Sequence, residues 1–318
     1  MTRFWGCKIL SHGEERHLRR VSNHAPVWRL PLWVLGVAFA LGLGASAKAT
    51  EVPATFNDGL IFVHVSIGAG PPGVFLLDTG AGISILDARF AAAAGVRLGD
   101  PIALVGGGGA TNARRAENVR LTLAGGGPGR DVGGEVDPTV ADLSQIDRGM
   151  RIHLDGILGD DLLRRFVVTL DYRTGVVRLD APDAALAPAD AVRMGGLIVP
   201  FVVAHVQQGG RGADAEFQID TGSNTAIEFW APFARQAFPD AAVTAGAGMG
   251  VGGFTRTERG RLDALTVAGH VIAGPQANFA DKTLPDDAGQ AYGGVIGGPA
   301  WRGLALTLDF PHRRVWLR

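Results

Sequence analysis

The sequence predicts an all-β protein built of two similar halves with minor helix. Three observations carry that prediction. Glycine is abundant at 47 residues while aromatics make up only 7%, a balance that favours short strands and tight turns over long helices. Runs such as "LIFVHVSI" (Leu60 to Ile67) and "VVTLDYRTGVVRL" are β-branched and partly alternating. And one ordered series of landmarks occurs twice, the mark of an internal repeat.

Each series opens on an acid at the end of an apolar run, in "FLLDTGAGIS" (Phe75 to Ser84) and "FQIDTGSNTA" (Phe217 to Ala226), with Asp78 and Asp220 142 residues apart. After Asp78 come a glycine-rich stretch "VGGGGATNA", the alternating "NVRLTLAG", then "DGILGDDLL" and "FVVTLDYRTGVVRL". After Asp220 come "GMGVGGFTRT", "RLDALTVAG", "GGVIGGPAW" and "LALTLDFPHRRVWL". Gly159 to Gly297 is 138 residues, and Leu170 to Leu308 is again 138. Between the series, "DAPDAALAPADAV" (Asp180 to Val192) is rich in Ala, Pro and Asp without periodicity, which reads as a linker. The expected organisation is therefore an N-terminal half over 50–180, a linker over 181–192 and a C-terminal half over 193–318.

Residues 1–49 read differently. Arg16, Arg19, Arg20 and Arg29 precede "LPLWVLGVAFALGLG", which closes on "ASAKA". That is the charged, apolar and small-residue order of a secretory signal, with cleavage expected after Ala47 or Ala49 and an uncleaved membrane anchor as the alternative. Either way the body is exported, periplasmic or secreted. The basic stretch is long for a signal, which is consistent with translation starting downstream of Met1. Cys7, the only cysteine, precedes the apolar run, so the exported body has no disulfide, thiol nucleophile or cysteine metal site. A formal charge of −1 without a basic stripe argues against a nucleic-acid partner. The eight histidines never fall at a metal-ligand spacing, so neither a metal nor another cofactor is expected.

Local signals place the remaining elements. A short helix follows the first acid: Asp87 caps it, "ARFAAAA" fills it and Gly95 ends it. In the second half Pro232 suits a first helical position and Pro239 a stop, around "FARQAF". "DYRTG" reads as a hairpin turn. "GMGVGG" matches the letters of a dinucleotide fingerprint, but it precedes an alternating strand where that site needs a helix. Trp230, Trp301 and Trp316 read as core or cleft wall. Asp160, Asp161 and Glu228 read as helix caps or a solvated face.

The repeated acid carries the chemistry. A lone carboxylate at the end of a buried strand is costly, so it must be capped, paired or protonated. Glycine at the third place can adopt backbone angles closed to other residues, letting the turn fold tightly and aim amides at the carboxylate. Threonine adds a hydroxyl for neighbouring backbone groups. Two such turns meeting at a pseudo-twofold axis bring like charges together, and one proton is then shared. The ionised member can take a proton from water while the protonated one donates to a carbonyl oxygen.

Apolar-apolar-Asp-Thr-Gly, a glycine-rich stretch and a later apolar-apolar-Gly ("ILG" at Ile157 to Gly159, "VIG" at Val295 to Gly297) together resemble the retropepsin-like aspartic proteases of the acid-protease fold. Ala81 after the first motif is similar to the retroviral form and Ser223 after the second to the pepsin form, so the whole resembles a single-chain, duplicated, bacterial export type. The resemblance implies two β-barrel halves related by a pseudo-twofold, with Asp78 and Asp220 as catalytic dyad. It implies Thr79, Gly80, Thr221 and Gly222 as its support, and flaps at Gly106, Gly107, Gly108 and Gly109 and at Gly250, Gly252 and Gly253. It further implies an aspartic endopeptidase acting as a monomer on a peptide or protein substrate bound between the halves. Two features depart from the family: no tyrosine lies in either flap stretch, and "IGGPAW" replaces the Gly-polar-polar segment in the second half. A noncatalytic peptide-binding or structural module that keeps the fold is the alternative.

Overall fold

The computed structural model describes residues 8–10, 50–125, 131–182, 187–280 and 292–318. The expected signal cleavage sites and Cys7 lie outside them, as does part of the linker. Strands make up 52% and helices 11% of the described residues, an all-β, acid-protease-like fold in two halves. Among the described residues no helix is long and apolar enough to cross a membrane.

Each half is one sheet, and the two sheets have the same strand order. In the first, Pro101–Gly106, Gly109–Arg115, Thr139–Ala141, Ile85–Asp87, Gly156–Leu158, Gly73–Leu77, Leu60–Ile67, Val119–Leu123 and Val132–Val136 lie side by side, with Lys8–Leu10 on the outer edge of Pro101–Gly106 and Ala54–Asn57 paired to Leu60–Ile67. In the second the order is Thr244–Gly250, Gly253–Arg261, Gln276–Ala280, Ile227–Phe229, Tyr292–Gly297, Arg211–Asp220, Phe201–Gln208, Ala264–Val267 and His270–Ala273. A third sheet of six strands joins the halves. At its centre Val167–Asp171 pairs antiparallel with Ala305–Asp309, Thr169 facing Thr307.

The alternation of each acid-bearing strand explains which side it buries. Phe75 and Leu77 enter the main core and Leu76 the opposite layer; Phe217 and Ile219 repeat the first placement. The side-chain period of a strand is two, so a run of apolar residues before the acid means a strand covered on both faces. The second half packs its core with rings, Phe229 lying against Phe217, Phe233, Phe238 and Phe279. Trp301 is fully buried, with Trp230 and Trp316 nearly so.

Four short helices fill the ends. Helix α1 (Ala88–Ala93) starts at Asp87, whose carboxylate accepts the Arg89 amide, and Gly95 follows its end with φ +69°. Helix α2 (Ser144–Met150) is not among the elements the sequence predicts. It closes on Arg151 in the left-handed region and is tied down by His153, whose ring nitrogens reach Asp147 and Asp155. Helix α3 (Asp160–Leu163) follows Gly159, and α4 (Ala231–Ala237) carries Pro232 in its first turn.

Candidate active site

The two Asp-Thr-Gly turns stand at the ends of matching strand arrangements. Gly73–Leu77 runs parallel to Gly156–Leu158, which is threaded between it and the returning Ile85–Asp87. Arg211–Asp220, Tyr292–Gly297 and Ile227–Phe229 repeat this. Each acid is thus carried on the end of a strand that is hydrogen-bonded on both sides. The Asp78 amide itself donates to the Leu158 carbonyl at 3.0 Å.

The threonines lock the turns to one another. The Thr79 hydroxyl donates to the Ile219 carbonyl at 2.8 Å and accepts the Thr221 amide at 3.1 Å. The Thr221 hydroxyl donates to the Leu77 carbonyl at 2.8 Å and accepts the Thr79 amide at 3.1 Å. Both threonines are fully buried, so all four bonds lie in a low-dielectric interior where losing a partner is costly.

The glycines serve by what they lack. Neither Gly80 nor Gly222 takes a left-handed φ, which corrects the expectation that glycine stands here for its backbone freedom. A Cβ on Gly80 would sit 2.4 Å from the carboxyl carbon of Asp220, and one on Gly222 would sit 2.4 Å from that of Asp78. Each turn leaves room for the other half's acid.

The carboxyls of Asp78 and Asp220 face each other, each lodged against the other half's glycine, and act on each other's proton affinity. Each is half-buried. Their surroundings differ. Asp78 Oδ1 accepts the Gly80 amide at 2.8 Å and the Ala81 amide at 3.1 Å, whereas Asp220 Oδ1 accepts the Gly222 amide at 2.8 Å. Burial raises Asp78 above the ordinary carboxylate range, while the Asp220 hydrogen bond and the amides pull it back. Asp220 is raised well above that range by burial, then by the charge of Asp78 and the bond to it. Hydrogen bonds to the charged form favour ionisation. Two amides on Asp78 against one on Asp220 thus favour Asp78 as the ionised member of the pair.

The glycine-rich stretches form two hairpins whose tips meet. Pro101–Gly106 pairs with Gly109–Arg115 around Gly107 and Gly108; Thr244–Gly250 pairs with Gly253–Arg261 around Val251 and Gly252. The Gly108 amide donates to the Val251 carbonyl at 2.8 Å, and a Cβ on Gly108 would fall 2.1 Å from the Gly253 nitrogen. Val251 reaches across into the apolar cluster of the first half, beside Met150 and Ile152.

Residues 63–162 match the family model described as aspartyl protease. The aspartyl protease match spans the Asp78 turn, the first hairpin and Ile157 to Gly159, and it supports protease activity in general. Asp220 lies beyond its end; the shared threonine bonds bring that residue to the site. No curated protein matches the chain.

Two readings of individual acids change. Asp160 is no helix cap: it is 3% exposed, in the first turn of α3, with Arg164 at 3.3 Å. Asp161 accepts the Ser84 hydroxyl at 2.6 Å, and that hydroxyl accepts the Gly159 amide, so the pair ties the apolar-apolar-Gly segment to the loop after the first turn. Glu228 adds to the upward shift of Asp220. Gln218 was not singled out by the sequence. Its one signal is that "FQIDTG" has a polar residue where "FLLDTG" has Leu76.

Proposed function

We propose that the protein is an aspartic endopeptidase that hydrolyses peptide bonds with water activated between Asp78 and Asp220. The observation that carries this reading is the facing pair of carboxyls, one from each half, held by crossed threonine bonds and given unequal numbers of amide donors. Asp78, the better-solvated anion, takes a proton from the water as its oxygen attacks the scissile carbonyl carbon, and Asp220 gives its proton to the carbonyl oxygen. In the collapse of the resulting diol the C–N bond breaks. Asp78 then gives its proton to the departing amine, and a diol hydroxyl returns one to Asp220, restoring the starting state.

The peptide lies extended in the cleft under the meeting tips of the two hairpins, which act as flaps. Main-chain bonds to strand edges would hold it, with alternate side chains entering pockets. The hairpins must part for entry and close over the bound chain, excluding water from the reaction. The protein works as a monomer, exported by its N-terminal segment.

The test is incubation of the protein, freed of residues 1–49, with a mixed peptide library across pH, with and without a pepstatin-type inhibitor. Inhibitor-sensitive cleavage is expected, with an acid-favoured, bell-shaped profile unaffected by chelators. Asp78→Asn and Asp220→Asn should each lower turnover by about a thousandfold, because Asn keeps the shape without cycling the proton. Wild-type-like turnover by either folded variant would sink the reading, as would binding of peptides without cleavage.

A further inference from the structure

Gln218 is costly where it stands. It is 2% exposed, in a strand flanked by Phe201 and Val295, within the apolar layer that also holds Val199 and Trp230. Its Oε1 has no hydrogen-bond donor among the described residues. An unpaired buried amide oxygen is disfavoured relative to an apolar side chain of the same shape, because it gives up its bonds to water and gains none. The matching position of the first half, also two residues before the acid, is Leu76.

The other end of the carboxamide is engaged. Gln218 Nε2 donates to the Gly80 carbonyl at 3.2 Å, crossing from one half to the other. The Gly80 carbonyl and the Ala81 N–H belong to one peptide group, and that N–H donates to Asp78 Oδ1 at 3.1 Å. Hydrogen bonds in series polarise one another. A donor on the carbonyl therefore strengthens the amide as a donor and fixes the plane of the peptide that carries it. Leu76 has nothing to donate to the opposite turn. The Ser223 amide, counterpart of the Ala81 amide, reaches only the backbone carbonyl of Asp220, at 3.3 Å.

We infer that Gln218 is a positioning residue which, through the Gly80–Ala81 peptide, makes Asp78 the base and Asp220 the acid of the pair. The inference rests on the dyad reading of the two carboxyls. It adds the residue that breaks the symmetry of two otherwise equivalent turns. The other titratable groups acting on the pair favour the same assignment or leave it unchanged. Glu228 raises Asp220 further, and the Tyr172 phenol is itself pushed up by burial and by Asp220.

The experiment compares the wild type with Gln218→Leu, which copies Leu76, and Gln218→Glu, which keeps size and length. Two readouts are taken: the pH dependence of kcat/KM on a cleaved peptide, and the carboxyl ¹³C titration of the pair by NMR. With the donor gone, the Asp78 anion is less stabilised, so the acid limb of Gln218→Leu should move up by about half a pH unit or more. Its kcat should fall about tenfold while KM stays within about twofold. Gln218→Glu donates to the Gly80 carbonyl while its carboxyl is protonated and cannot once ionised, so it should match the wild type at the acid end and lose activity earlier as pH rises. A Gln218→Leu acid limb superimposed on the wild type, or a loss carried by KM alone, would overturn the inference and leave the endopeptidase reading standing. If the wild type cleaves nothing, that reading fails, and the NMR titration decides the inference alone: an unmoved Asp78 resonance in both variants overturns it. Should Gln218→Leu not fold, the alkaline limb of Gln218→Glu decides: a limb superimposed on the wild type overturns the inference, and an earlier fall upholds it.

Discussion

Asp78 and Asp220 are the same residue in unlike surroundings, and the difference is a matter of a few amides. Asp78 accepts two of its own turn's N–H groups and Asp220 one, and a carboxyl with fewer donors is the easier one to protonate. The arrangement has a measurable cost. Asp220 is raised on folding, so the folded state binds a proton that the unfolded chain releases. Stability from this group is fully present below the ordinary carboxylate range and is lost as pH rises through the folded value. Asp220→Asn should therefore melt at a higher temperature than the wild type at about pH 7 and at nearly the same temperature at about pH 3. Differential scanning calorimetry at the two pH values checks this. An equal or lower melting temperature at the higher pH would mean that Asp220 is not the strained member.

Between residue and molecule, two elements have effects of their own. In α3 the carboxyl of Asp160 is lifted to about 7 by burial, with Arg164 and Arg313 lowering it and Asp161 raising it. The protein should lose stability as pH rises from about 4 towards 7, by up to about 4 kcal/mol from this group. Asp160→Asn should flatten that slope in urea denaturation measured across the range. The segment "ILGDDLL" shows two acids before two leucines, yet only the packed helix shows which of them is buried. The hairpin tips are the second element. Gly108→Val places a branched side chain where a Cβ already falls 2.1 Å from the Gly253 nitrogen, so the tips cannot meet. Turnover should fall by about tenfold or more with the melting temperature nearly unchanged, and hydrogen exchange at Gly108 and Val251 should speed up. Unchanged kinetics in the valine variant would remove the hairpins from the reaction. The helices α1 and α4 are legible in the sequence because cap, proline and glycine signals act within a few residues. Helix α2 is not, because "SQIDRGM" has no side-chain cap and a weak apolar face, and contacts from His153 and the second hairpin hold it instead.

For the molecule as a whole, the six-stranded sheet holds the two halves together. It joins both halves at Thr169 and Thr307, whose hydroxyls stand 3.1 Å apart, and the crossed threonine bonds tie the two turns to each other. Tethered halves face each other at an effective concentration on the order of millimolar. Specific activity should stay constant on dilution to about nanomolar enzyme, and separately expressed halves should be inactive; activity falling in proportion to dilution would mean that the pair forms between chains. By itself the sequence determined the strand class, the two acid turns, the repeated order of landmarks and the helices with local caps. All of these are written in periodicity and in residues whose backbone or capping chemistry acts at short range. The tertiary structure decided what depends on contacts 138 to 144 residues apart: the crossed threonine bonds, the Gln218 bond to Gly80 and the closeness of the two carboxyls. The threonine and glutamine bonds end on backbone groups, which every residue carries alike, so the pattern of side chains along the chain does not name them. The meeting of the two acid turns, which the repeat suggests, is made only by the folded halves.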